Sequence, residues 1–178
     1  MNQKIITLKE LQKRYNDGEK FDFHFFWNGP FSQWKHSVFT VENVEHTSAE
    51  QYMMAQKALL FNDKESYDEI MSTNRPATQK LIGKKVKNFD ENIWYENRIK
   101  IVCRDNWHKF TQNPDLLKKL LNTGNKILVE SSPVDKMWGI GLSSIDPRAN
   151  NPLKWKGENL LGFTLTCVRD TYNEVIGG

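Results

Sequence analysis

Ser48-Ala49-Glu50-Gln51-Tyr52-Met53-Met54-Ala55-Gln56-Lys57-Ala58 is the stretch on which the reading of this chain turns. Ser48 is a helix N-cap residue with Gln51 three places on, the spacing of a capping box, and the apolar pattern Met53, Met54, Leu60, Phe61 carries a helix to about residue 61. Glu50 and Lys57 stand seven apart, so they share one face about two turns from each other. At 1.5 Å rise per residue their backbones lie roughly 10 Å apart, beyond the usual i,i+4 surface pair. Met53 and Met54 fill the face between them. Two opposite charges there have two readings. Both snorkel to solvent at the edge of a core, or the face lines a cleft in which desolvation pushes a carboxyl pKa up and an ammonium pKa down.

Upstream, Phe21, Phe23 and Phe25 alternate with Asp22 and His24, which predicts a strand with one buried face, and Asn28-Gly29-Pro30 breaks it as a turn. Val38–Val41 reads as a second short strand. Downstream, Pro76 and Gly83 bracket a short helix. Tyr95, Ile99, Val102 and Phe110, widened by Trp94 and Ile101, predict a long amphipathic helix over about 90–110. Asn113-Pro114 opens another helix with Leu116, Leu117, Leu120 and Leu121 facing the core, ended by Gly124. Ile127–Val129 is a buried strand, and Leu160–Val168 is a final strand or the start of a helix. The fold class this predicts is α+β: a helix-rich single domain, 1–178, with a few short strands.

Composition narrows the function. The 178 residues carry 25 Lys+Arg against 22 Asp+Glu, a net +3, with 38% hydrophobic and 12% aromatic residues, which supports a packed core and excludes disorder as the main description. No apolar run approaches the ~20 residues of a membrane span, and Met1–Glu10 does not read as a signal peptide. Two cysteines, Cys103 and Cys167, form no disulfide framework and suit a reducing cytoplasm. The four histidines show no ligand spacing with Cys or carboxylates, so no metal and no cofactor is expected. There is no Walker loop, no GxGxxG and no GxSxG elbow. A charge of +3 and the absence of a recognised DNA-binding motif argue against a plain DNA-binding module.

Two further segments carry chemistry-bearing residues. Leu128-Val129-Glu130-Ser131-Ser132-Pro133-Val134-Asp135 feeds a turn in which Asp135 stands beside Trp138-Gly139-Ile140-Gly141. This is either a structural turn with a core tryptophan or a place where backbone approaches a ligand and an indole stacks on a base. Trp27-Asn28-Gly29-Pro30-Phe31-Ser32-Gln33-Trp34 mixes amides with aromatics on a turn, and Lys80, Lys84, Lys85 and Lys87 form a basic run that is either a solvated face or a phosphate contact.

Taken together the chain resembles the NADAR, or YbiA-like, family. The matching strings are Phe31-Ser32-Gln33-Trp34, Ala49–Ala58, Leu81-Ile82-Gly83-Lys84-Lys85-Val86 before Phe89-Asp90 and Trp94, Lys109–Asn113, Leu128–Asp135, Trp138-Gly139-Ile140-Gly141, Pro152–Gly162 and Val168-Arg169. They run in family order over about 21–172. The chain departs from the pattern with Gly83-Lys84 where the family often has Gly-Arg, Ser131 in place of alanine, and His46 in place of tyrosine. The resemblance implies an N-glycosidase that cleaves ribose C1 from an exocyclic amine, and it favours the cleft reading.

As catalytic residues it implies Glu50, Lys57 and Asp135; as substrate-binding residues Trp138, Gly139, Phe31, Ser32, Asn28, Lys84, Trp94 and Arg98. Its substrates are ADP-ribosylated guanine in DNA or RNA, with an ADP-ribosyltransferase toxin as counterpart, or phosphoribosyl-aminopyrimidine intermediates of riboflavin biosynthesis. A reader that binds ADP-ribose without cleaving it is the competing class; it needs aromatics and phosphate contacts but not the Glu50, Lys57 and Asp135 set. No membrane partner is expected.

Overall fold

The computed structural model describes residues 5–176. In chain order the elements begin with α1 (Leu8–Asn16), β1 (Phe23–Phe26), β2 (Phe39–Val41), β3 (Val44–His46), α2 (Ala49–Leu60) and α3 (Lys64–Met71). They continue with α4 (Pro76–Gly83), α5 (Glu91–Thr111), α6 (Pro114–Leu121), β4 (Ile127–Glu130) and α7 (Leu160–Ile176). This is the helix-rich α+β chain with short strands that the sequence predicts. Of the N-terminal stretch read for a signal peptide, residues 1–4 lie outside the described ones. No helix among the described residues is long and apolar enough to cross a membrane.

The chain divides into two compact units: Met1–Phe31 with Lys118–Gly178, and Ser32–Leu117. In the first, β1 and β4 pair in parallel with Phe25 opposite Val129. The outer edge of β4 is not left open. Asn159 accepts from Glu130 N–H (2.9 Å) and donates to Leu128 C=O (3.0 Å), and Thr166 Oγ1 accepts from Leu128 N–H (3.0 Å). Helix α7 comes so close that a Cβ on Gly162 would lie 2.2 Å from Leu128 O, which fixes glycine there. Residues 160–176 are helix rather than strand. A helix buried nearly all round shows an unbroken apolar run, which periodicity does not separate from a buried strand. The core of this unit joins Leu11, Val129, Ile140, Leu142, Trp155 and Phe163.

In the second unit α2 packs against α3, α4 and α5. Ser48 Oγ accepts the Gln51 N–H (3.1 Å), as the capping pattern predicts. The return bond is shifted by one residue: Gln51 Oε1 accepts from Thr47 N–H (2.8 Å), and Gln51 Nε2 donates to Thr73 C=O (3.0 Å) beyond α3. Residues 49–55 are buried all round, so this helix has no solvent face in its first two turns. On α5 the buried side differs from the predicted stripe. Trp94, Val102 and Phe110 are buried as expected, but Tyr95 is exposed, and Arg98, Asp105, Asn106 and Lys109 are buried as well. A pattern drawn through apolar residues does not see charges that are buried because they are paired.

Candidate active site

Lys57 lies in the last turn of α2, half-buried. Its Nζ donates to Gly83 C=O at 2.8 Å, one of the last carbonyls of α4, which lack partners along their own helix. The same nitrogen is 4.2 Å from the Phe89 ring centroid and 5.5 Å from that of Trp94. Gly83 leaves room for Met54 in this corner: a Cβ there would lie 2.0 Å from Met54 Sδ. Burial pushes the Lys57 amine below the usual lysine range. The ring faces favour the ammonium form and oppose that shift.

Glu50 is buried in the first turn of α2, and its backbone N–H donates to Gln33 C=O at 3.0 Å. Gln33 is itself pinned. Its Nε2 donates to Asp105 Oδ2 (3.1 Å), and its Oε1 accepts from Asn106 Nδ2 (2.9 Å). One turn further along α5, Lys109 Nζ donates to Ser32 C=O at 2.8 Å. Burial pushes the Asp105 carboxyl well up, against the Gln33 hydrogen bond and the Lys109 charge, and the nearby Glu50 charge pushes it the same way as burial. Burial likewise pushes Lys109 down to about 7, partly offset by Asp105. The Ser32-Gln33 turn is therefore tied to a buried acid–base pair on α5, and through Gln33 to the residue carrying Glu50.

The sequence reading did not single out Gln33, Asp105, Asn106 or Lys109 as site residues. The available signal was Asp105 and Lys109 at i,i+4, a spacing that equally describes an exposed helix pair. Of the other predicted residues in this unit, Lys84 is exposed at the C-cap of α4 and Trp94 is buried beside Lys57. The buried Arg98 guanidinium lies 4.5 Å from the Tyr95 ring centroid.

In the first unit Asp135, Trp138 and Gly139 come together in one turn. Asp135 Oδ1 accepts from Met137 N–H (2.9 Å) and Trp138 N–H (2.8 Å), which fixes the indole's backbone relative to the carboxylate. A Cβ on Gly139 would lie 2.8 Å from Glu130 O, so the turn folds back onto the end of β4. Asn28 and Phe31 line a separate cavity of about 410 Å³ with His24, Phe26 and Thr123. The His24 and Phe26 rings both meet Phe31 edge-on, at 5.3 and 5.5 Å. A larger concavity in this unit, about 710 Å³ beside Arg14 and Arg169, contains none of the predicted residues. Among the described residues, no three His, Cys, Asp or Glu side chains group as a metal site.

The order of helices and short strands is that of a YbiA-like α+β protein. The NMR structure of the E. coli protein YbiA has the same fold, with a TM-score of 0.71 at 24% identity over 88% of each chain. The sequence profile of the NADAR domain matches residues 24–173, and the chain belongs to that family. It is similar to an N-glycosidase of Acanthamoeba polyphaga mimivirus, 46% identical over 145 residues, 79% of this chain and 85% of that one. It is also similar to a riboflavin biosynthesis protein of Vibrio vulnificus, 28% identical over 135 residues, 76% of this chain but 33% of that protein.

Proposed function

We propose that this chain removes ADP-ribose from the exocyclic amine of guanine bases in nucleic acid. The broader class is plain from its relatives: it is a hydrolase of N-glycosyl compounds. The observation that carries the cleavage chemistry is the Lys57 corner, where a half-buried amine with a lowered pKa is aimed by one carbonyl and two rings. Breaking a C1–N bond builds positive charge on the sugar and needs a proton on the departing nitrogen. Glu50 supplies that proton. Asp135, which the resemblance implies as catalytic, is cast here as the second carboxylate, one that stabilises the sugar cation or activates water.

Two routes use these groups. In the covalent one, the ring-opened sugar presents C1 as an imine carbon, and the neutral Lys57 amine adds to it. The guanine amine then leaves with the proton from Glu50, and a lysyl imine remains. Water adds to C1, the sugar leaves as an aldehyde that recloses, and the lysine amine is regenerated. In the direct one, water adds to C1 as the base departs, and Lys57 acts by charge alone. Trp138 stacks on the base or the ribose. A cytoplasmic setting and an ADP-ribosyltransferase toxin as counterpart belong to the same reading.

The second reading, hydrolysis of phosphoribosyl-aminopyrimidines, is favoured by the similarity to the Vibrio vulnificus riboflavin protein. Incubating the protein with an ADP-ribosylated guanine oligonucleotide and, in parallel, with a phosphoribosyl-aminopyrimidine separates the two. Release of ADP-ribose from the first supports the proposal; turnover of the second alone replaces it with the riboflavin reading.

A further inference from the structure

Three large rings of the Ser32–Leu117 unit are left in solvent: Trp34 (47% exposed), Phe89 (45%) and Tyr95 (64%). Each has a cation against it. Lys80 Nζ is 5.8 Å from the Trp34 ring centroid, Lys57 Nζ is 4.2 Å from Phe89, and the Arg98 guanidinium is 4.5 Å from Tyr95. The three pairs form a connected path. Helix α4 carries Lys80 one turn before Gly83, and Gly83 C=O holds Lys57. Lys57 meets Phe89 and Trp94, and Tyr95 and Arg98 follow Trp94 on α5.

The charge beside this path is one-sided. From Arg75 to Phe89 the chain has Arg75, Lys80, Lys84, Lys85 and Lys87 and no acidic residue. Of these, Lys87 is engaged by Glu65 at 2.6 Å. Acidic side chains resume with Asp90, Glu91 and Glu96 on the α5 side. Exposed ring faces alternating with cations are what a single strand needs, because bases stack on rings of any identity while phosphates meet the cations. A duplex keeps its base faces covered and cannot use them.

We propose that the strip from Trp34 through Lys80, Lys57 and Phe89 to Tyr95 binds a single strand of DNA on both sides of the base being processed. The proposal rests on the N-glycosidase reading for placing the modified base at Lys57; strand binding itself does not depend on it.

The test is fluorescence anisotropy with a labelled, unmodified twelve-residue oligo(dT), its duplex with oligo(dA), and oligo(U) of the same length. Wild type is compared with Trp34→Ala, Tyr95→Ala and the double variant Lys80→Gln/Lys85→Gln, each checked for an unchanged thermal transition. Single-stranded DNA should bind about tenfold more tightly than the duplex, and each ring variant should weaken it by about tenfold. The lysine pair should lower the salt slope by about 1.4, at about 0.7 per phosphate contact on a single strand. On an ADP-ribosylated oligonucleotide the ring variants should raise KM; on an ADP-ribosylated mononucleotide they should match wild type. Preference for duplex, tighter binding of oligo(U), or ring variants that bind like wild type would overturn the proposal. Strand binding intact in a protein that cleaves neither modified substrate would overturn the proposed function and leave the strip standing.

Discussion

Lys57 and Lys109 stand in contrasting surroundings. Each donates to a backbone carbonyl at 2.8 Å, Lys57 to Gly83 and Lys109 to Ser32, and burial lowers the pKa of both. Lys109 has the lower value, about 7, yet it is fully buried with Asp105 beside it and leaves no room for a substrate carbon. Lys57 is less perturbed but half-exposed, and what flanks it is ring faces rather than an acid. A neutral amine is necessary for imine chemistry, and reach decides between the two. Under the proposed covalent route Lys57 is the lysine a substrate carbon can reach, whereas Lys109 holds the Ser32-Gln33 turn.

The contrast breaks most visibly in activity. Lys57→Ala should lose about a thousandfold or more of turnover, as nucleophile deletions do. Lys57→Arg should be nearly as inactive, because a guanidinium cannot form an imine. Borohydride during turnover should attach the sugar to Lys57 and not to Lys109, read by peptide mass. A trapped adduct on Lys109, or a Lys57→Arg variant with near wild-type rate, would break the assignment.

Lys109→Met should act on stability. It leaves Asp105 buried without its cation and should cost about 3 kcal/mol in urea unfolding, while Asp105→Asn/Lys109→Met should recover much of that. A Lys109→Met protein as stable as wild type would mean that the pair holds nothing. A third effect of similar size belongs to His46, buried between Phe39 and Tyr52 and pushed down to about 4 by burial. The unfolded chain takes up that proton near 6.5 and the folded chain only near 4. Stability should therefore fall as pH drops from 6.5 to 4, by about 3 kcal/mol in all, and His46→Phe should flatten that slope.

Gly83→Ala sharpens the picture of the Lys57 corner. The new methyl must displace Met54, a flexible side chain, so the fold should survive with a small loss of thermal stability. The carbonyl that aims Lys57 should move with it, and kcat should fall about tenfold. The smallest effect expected is that of EDTA on the rate, which should be none.

The α2 segment was legible because its cap, its apolar run and the pair Glu50 and Lys57 all lie within one helix. What escaped was of three kinds. Asp105 and Lys109 are buried only because each answers the other and Gln33 and Ser32 answer both, and those partners are more than seventy residues away in sequence. Helix α3 has one fully buried apolar residue, Ile70, so it shows no stripe; its start is fixed by Asp63, which accepts from Ser66 N–H at 3.2 Å. Strand β3 follows a two-residue turn at Glu42-Asn43 with φ of 50° and 64°, and glutamate is not a residue that announces such a turn.

The seal that Asn159 and Thr166 place on β4 also bears on solubility. A short strand with open N–H and C=O groups is a template for a neighbouring molecule, and a two-stranded sheet has little else to protect it. Here one amide just before α7 and one hydroxyl two turns into it occupy the hydrogen-bonding positions that a foreign strand would use. Asn159→Leu together with Thr166→Val would keep the volume, bare that edge, and make it a seed for intermolecular sheet growth, visible as light scattering that rises with concentration.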